Sequence, residues 1–396
     1  MNTFTIYNAT IITPDEVIEN ASLHIENGLI AAIDRTNQTT QGINTINAAG
    51  AMVMPGIIDI HTDALDAEII PRPGADIPVN IAFRELERKM SGCGFTTVYH
   101  SLHLGYEAAE ATSRSKYSRS EVFEKVYQAS QGKTLLNNKI HLRFEVSGVA
   151  AYDACFELIS KGYISLLSVM DHTPGQGQFN EKNFMALAQQ EGKNKQQATE
   201  EFLKLVSRPK IEGEMLQALI DHAIGHGIPV ASHDDDTVEK VNEMYALGVR
   251  ICEFPITLET AEHATEMGMH VIGGASNILR GGSLSGNANM KDAVLNGWVD
   301  TLCSDYYPPA ILHSVFKLHQ EEGLPLHQAV KLATLHPAKA AGIDALTGSI
   351  EKGKEADLLI IDTIDGIPMV KYTIVNGHIV SQAEVKVDHE KLQIQF

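Results

Sequence analysis

The chain has 396 residues, 44% hydrophobic and 20% charged, with 50 acidic against 31 basic residues and a net charge of −19. This is the composition of an ordinary globular protein. Its charge argues against nonspecific binding to nucleic acid or to an anionic membrane surface, and an anionic ligand would need local cations to overcome the overall field.

The opening residues, Met1-Asn2-Thr3-Phe4-Thr5-Ile6-Tyr7, contain no basic stretch followed by an apolar one. No signal peptide is therefore expected. No run approaches the roughly 20 apolar residues that span a membrane, so the cytoplasm is the expected location. Residues 3–53 alternate in short strand-like pieces at 5–12, 22–25 and 29–33, with Asn27-Gly28 as a turn. They predict a small antiparallel β unit.

Next comes Met54-Pro55-Gly56-Ile57-Ile58-Asp59-Ile60-His61-Thr62-Asp63. A short apolar run bounded by Pro-Gly fits a strand buried on both faces. Residues two apart on a strand share a side, so His61 and Asp63 project together from its end. An imidazole and a carboxylate placed there suit a divalent transition metal.

From this point the period changes. Apolar strand candidates recur at 57–61, 96–101, 140–146, 164–171, 229–233, 250–254, 270–275 and 299–304, with helical patterns at 81–90, 121–129, 212–224, 238–247 and 258–267. Alternating strands and helices imply parallel βαβ units, and eight of them imply an α/β fold of the (β/α)8 TIM-barrel type. The interval 173–228 predicts an exposed helical insertion, rich in Gln and Lys around 189–204. Strand candidates return at 357–361, 369–375 and 378–380, with Asn376-Gly377 as a turn. The expected partition is a small β-sandwich from both termini, 1–54 and 345–396, around a barrel at 55–344. Cys93, Cys155, Cys252 and Cys303 lie far apart and form no C-x-x-C. They predict small buried residues in a reducing compartment.

In such a barrel the chemistry sits where strands end. The predicted ends carry His61 and Asp63, then Tyr99, His100 and His103, then Glu145, Asp171-His172, His233 with Asp234 to Asp236, Glu253, and Ser304-Asp305. Carboxylates clustered this closely repel unless cations neutralise them. After strand seven, Asn277-Ile278-Leu279-Arg280-Gly281-Gly282-Ser283-Leu284-Ser285-Gly286-Asn287 reads as a loop. The backbone N–H groups of Gly281 and Gly282 can approach an anion there, Arg280 can grip a phosphate with two donors, and Ser283 adds a third. Pro71-Arg72-Pro73 puts Arg72 on the same rim.

Three stretches together resemble the amidohydrolase superfamily of metal-dependent hydrolases. They are Val53-Met54-Pro55-Gly56-Ile57-Ile58-Asp59-Ile60-His61, Thr334-Leu335-His336-Pro337-Ala338, and Gly348-Ser349-Ile350 with Gly353 and Ala356-Asp357-Leu358. The resemblance implies a barrel with a β-sandwich built from both termini. Pro71-Arg72-Pro73, Met170-Asp171-His172, Pro174-Gly175-Gln176, Ala231-Ser232-His233-Asp234-Asp235, Glu253-Phe254-Pro255, Arg280-Gly281-Gly282-Ser283 and Ser304-Asp305-Tyr306-Tyr307-Pro308 are similar to one branch. That branch serves phosphonate breakdown and cleaves pyrophosphate from a phosphonate-bearing ribose triphosphate.

The resemblance implies one or two divalent ions, zinc first and manganese or iron as alternatives. Their ligands would come from His61, Asp63, Glu145, His172, His233 and Asp305. The superfamily's usual H-x-H is here His61-x-Asp63, and Glu253 stands where its strand-six His is usual. The usual bridging carboxylated Lys has no counterpart at a strand end, which makes Glu145 the candidate bridge and Asp171 its rival. Asp305 would be the general base, and Arg72, Arg280, Gly281, Gly282 and Ser283 would hold a small phosphorylated substrate. A deaminase or cyclic amidase acting on a C–N bond is the alternative enzyme. Self-association is left open.

Overall fold

The computed structural model describes residues 2–38, 44–72, 74–105, 117–175, 181–190, 192–283 and 286–385. Pro73, Gln176, Leu284 and Ser285 lie outside the described residues. Sixteen strands are described. The first five are β1 (Phe4–Ile12), β2 (Val17–Glu26), β3 (Leu29–Asp34), β4 (Asn44–Asn47) and β5 (Met52–Pro55). Eight more form the middle of the chain: β6 (Ile57–Thr62), β7 (Phe95–Leu104), β8 (Asn137–Glu145), β9 (Leu166–Met170), β10 (Val230–His233), β11 (Ile251–Glu253), β12 (His270–Gly274) and β13 (Thr301–Cys303). The last are β14 (Leu358–Ile364), β15 (Ile367–Val375) and β16 (His378–Gln382).

Strands β6 to β13 are hydrogen-bonded in chain order, each parallel to the next. A parallel bridge from Thr62 to Asp305 joins the two edges, which nearly closes the eight into a barrel. All eight expected strands are present. The six inner strands pair on both sides, and burial on both faces makes the strands largely apolar. Gly56 lets β6 start against β7, since a Cβ there would fall 2.1 Å from the Thr96 side chain. Inside, Ile58, Ile60, Tyr99, Leu166, Ala231, Ile251, Ile272 and Cys303 form one cluster, plugged by Ala338 of the helix Leu335–Ala340. Barrel strands stagger so that their inward side chains fill the centre, leaving the strand ends for function.

The insertion after β9 is helical as expected, with helices Glu181–Gln190 and Lys195–Val206. No described helix is long and apolar enough to cross a membrane. All four cysteines are free, and Cys155, Cys252 and Cys303 are buried.

Both ends of the chain form one hydrogen-bonded sheet, in the order β16-β15-β14-β5-β1-β2-β3 with β4 also on β1. Residues of β1 to β3 and of β14 and β15, including Ile6, Leu23, Ile30, Leu358, Ile360 and Ile374, share a single core. The N-terminal part is not purely antiparallel, because β1 pairs parallel with β4 and β5. Having run up and down through β2 and β3, the chain returns beside β1 in β1's own direction.

Candidate active site

The candidate ligands His61, Asp63, His172, His233, Asp234, Glu253 and Asp305 stand at or just past the C-terminal ends of barrel strands. Just past three of those ends, Asp234, Phe254 and Asp305 hold left-handed backbone with φ of 54°, 55° and 57°. Non-glycine residues adopt it at a cost, and such positions cluster where side chains must be aimed. Cross-strand hydrogen bonds hold all three: the Asp234 N–H donates to Glu253 O at 2.9 Å, the Phe254 N–H to Ile272 O at 2.9 Å, and the Asp305 N–H to His61 O at 3.1 Å.

Glu253 is the centre of the cluster. It is fully buried, and its two oxygens lie 3.2 Å from His61 Nδ1 and 3.2 Å from His233 Nδ1. Ser168 Oγ donates to it at 2.6 Å, and His141 Nε2 is 3.8 Å away. Burial alone would push the Glu253 carboxyl up, but His61 beside it and the imidazole hydrogen bonds from His233 and His61 hold it well below the usual carboxylate range. His141, pushed down to about 3 by burial, is neutral at pH 7. His61 is shifted the other way. Burial acts against its charged form, yet the Glu253 carboxylate raises it. The Nε2 atom of His141 is buried without a hydrogen-bond partner.

Among the described residues three overlapping donor sets follow, each with its ligand atoms within 4.8 Å of one another. They are His61 with His233 and Glu253, His172 with His233 and Asp234, and His61 with Asp63 and Asp305. Imidazole nitrogens with carboxylate oxygens, enclosed and in excess of any organic cation, are the donor chemistry of a divalent transition metal. The residues fit such an ion. Burial lowers His233 and raises Asp305. Asp63 is also pushed up by burial, but the Arg143 guanidinium 2.7 Å away leaves it lowered overall.

The structure brings together His61, Asp63, His172, His233 and Asp305. Glu145 is placed differently from expectation. It lies behind His172, 3.0 Å from its Nδ1, and accepts the His172 backbone N–H at 3.1 Å. It belongs to none of the three donor sets and lies where it can orient His172. Asp171 pairs with Lys210 at 2.7 Å and is also in none of the donor sets.

A cavity of about 290 Å³ opens onto these donors, lined among others by His61, Asp63, His233, Asp305, Arg143, Arg280, Ser283 and Tyr306. Arg280 and Ser283, the side chains expected to contact an anion, both line it. Arg72 is exposed on the rim and does not line this cavity. The expected glycine loop is partly a helix, Ala275–Arg280, closed by Gly281 at φ 82°. Its cap uses the very N–H groups that were expected to face an anion: Gly281 donates to Ile278 O at 3.2 Å and Gly282 to Asn277 O at 2.9 Å. Helix ends leave carbonyls that a following glycine satisfies, and here that need is met first.

Sequence reasoning passed over Glu253 as a ligand, and also Asp234 and Arg143. Arg143 stands two residues before Glu145 on β8, as His141 stands two before Arg143. The strand period that singled out Glu145 could have found both.

The amidohydrolase family model matches residues 172–380. The chain is 34% identical over 370 residues to α-D-ribose 1-methylphosphonate 5-triphosphate diphosphatase of Escherichia coli, covering 90% of this chain and 94% of that protein. It is 23% identical to imidazolonepropionase of Thermoplasma volcanium, over 92% of this chain and 91% of that one. Among solved structures, a Xaa-Pro dipeptidase with methionine in its active site matches with a TM-score of 0.67 at 15% identity, over 96% of this chain and all 100% of that chain. Dihydropyrimidinase of Brevibacillus agri matches with a TM-score of 0.66 at 14% identity, over 96% and 95% of the two chains. At such identities the structural matches speak for the fold alone.

Proposed function

The chain belongs to the amidohydrolase family, and from that premise we propose that it is a metal-dependent hydrolase that releases pyrophosphate from α-D-ribose 1-methylphosphonate 5-triphosphate in phosphonate breakdown. The observation that carries this is the pairing, in one cavity, of His/Asp/Glu donor sets with Arg280 and Ser283. A site for a neutral amide has no need of a guanidinium facing its donors.

His61, Asp63, His233, Glu253 and Asp305 would hold the ion, and these donors suit zinc before manganese or iron. When bound, such an ion makes hydroxide available from water near neutral pH and neutralises charge on the phosphate under attack. Asp305, raised by burial, takes the proton of the attacking water as general base. Water adds to the α-phosphorus, the bond to the β-bridging oxygen breaks, and pyrophosphate leaves the ribose 5-phosphate. Arg280 and Ser283 hold the outer phosphates throughout, where their charge and hydrogen bonds lower the barrier most. Four free cysteines suit a reducing compartment, which supports the cytoplasm as the place of this reaction.

The test is a product assay on a substrate panel. Pyrophosphate from the ribosyl triphosphate supports the reading. Ammonia or ring opening from cyclic amides, with no pyrophosphate, replaces it with a C–N hydrolase. Arg280→Lys should cost about 10–100-fold in kcat/KM on the triphosphate, because a lysine cannot copy the guanidinium fork and charged hydrogen bonds are worth about 1.5–3 kcal/mol.

A further inference from the structure

The proposed mechanism leaves Arg143 without a role, yet Arg143 is the more enclosed of the two arginines that line the cavity. Its side chain is 14% exposed, whereas Arg280 is open to solvent. Its hydrogen bonding is thin for a buried guanidinium. Nη1 donates to Asp63 Oδ1 at 2.7 Å, and Nε meets only the sulfur of Met170 at 3.2 Å, a weak acceptor. Nη2 donates to no described residue. One carboxylate, itself 39% exposed, is meagre compensation for a desolvated five-donor cation. That carboxylate also belongs to the His61–Asp63–Asp305 donor set, so an ion bound there would compete with Arg143 for it.

We propose that Arg143 is a specificity-determining residue that binds phosphate oxygens of the anhydride at the floor of the cavity. One arm stays on Asp63 and the free Nη2 edge faces the substrate. This rests on the diphosphatase reading and adds to it the residue that selects charge. Arg143 is carried by a barrel strand rather than a loop, so its donors are fixed before substrate arrives, and little ordering is left for binding to do. An anhydride phosphate completes its hydrogen bonds. A neutral cyclic amide would bury the guanidinium further with nothing to pair it, and would be rejected for that reason.

Calorimetric binding of inorganic pyrophosphate, the product that carries one side of the cleaved anhydride, tests this on the purified metal-loaded protein. Arg143→Gln should weaken pyrophosphate by 10-fold or more, while metal content by mass spectrometry stays within about twofold of wild type. Arg143→Lys should fold like wild type and recover part of the affinity, because it restores the charge without the fork. If wild type releases pyrophosphate from the triphosphate but Arg143→Gln binds it within twofold of wild type, the role of Arg143 is refuted and the diphosphatase reading stands. If affinity and metal content fall together, and Asp63→Asn copies both losses, Arg143 only supports Asp63 and the proposal is again overturned. If wild type neither binds nor releases pyrophosphate, the diphosphatase reading fails first.

Discussion

Glu253 and Asp357 are both buried carboxylates, one at the barrel mouth and one at the seam between the barrel and the terminal sheet, and they are held in opposite ways. Asp357 accepts three hydrogen bonds from neutral groups: the Asn376 N–H at 2.8 Å, Thr347 Oγ1 at 3.0 Å and Asn137 Nδ2 at 3.2 Å. No cation among the described residues touches it, and burial pushes it up to about 6. Glu253 has imidazoles on both oxygens and is held well below the usual range. Neutral donors are enough to place a carboxylate that ties two layers together. A carboxylate that must stay ionised in a dry interior needs charged or strongly donating partners, and at the mouth histidines stand on both of its oxygens. The contrast separates the part of the molecule built to hold shape from the part built to hold charge.

The sharpest way to break this contrast is to remove charge at the mouth. Glu253→Gln leaves His61 and His233 without their shared anion. Breaking a buried pair in this way costs about 3–5 kcal/mol. His61→Ala and His233→Ala remove donors directly and should drop divalent metal content sharply, together with activity. Metal analysis of the three variants checks this, and unchanged stoichiometry in all of them would show that Glu253 is only another structural acid.

A smaller effect sharpens the boundary of the mouth. Glu145 touches His172 but belongs to none of the donor sets. Glu145→Gln should therefore weaken metal affinity by about 10–100-fold, as expected for a group that orients a ligand, without changing the number of ions at saturation. A fall from two ions to one at saturating metal would instead restore it as a bridge.

The barrel was legible in the sequence because strands buried on both faces read as short, largely apolar stretches alternating with helical patterns, eight times over. The site was legible as strand ends carrying His61, Asp63, His233 and Asp305, since the period of two is local. Contacts across the barrel were not legible. The sequence puts Glu145 on a strand end, but only the folded barrel shows that it faces His172 while Glu253 faces two histidines. Strand β4 escaped notice because Asn44-Thr45-Ile46-Asn47 is short and polar on an exposed edge. The helix Ala275–Arg280 was read as a loop because two glycines follow it. Those glycines mark its end and consume the N–H groups that seemed free.

The gentlest prediction tests the seam. Asp357 titrates higher in the folded protein than in the unfolded chain, so between about pH 4 and about pH 6 the native state binds more protons. Stability must then fall as pH rises through that window, because its slope with pH follows protons bound unfolded minus protons bound native. The gap corresponds to on the order of 2–3 kcal/mol. Other acids titrate in the same range, Asp59 among them, pushed to about 6 by burial, so wild type alone cannot isolate Asp357. Asp357→Asn can, because its amide does not titrate. The variant loses some stability at every pH, since an amide nitrogen cannot accept the bonds from Thr347 and Asn137. That offset is of the usual size for an unmet buried donor, about 1–3 kcal/mol. The informative quantity is the change in the offset. Wild type minus variant, measured by thermal unfolding from pH 4 to pH 7, should shrink as pH rises, because only wild type accumulates the cost of a buried charge. A difference that is flat across the window would mean that Asp357 is already ionised without penalty, and that the seam, like the mouth, supplies charge of its own.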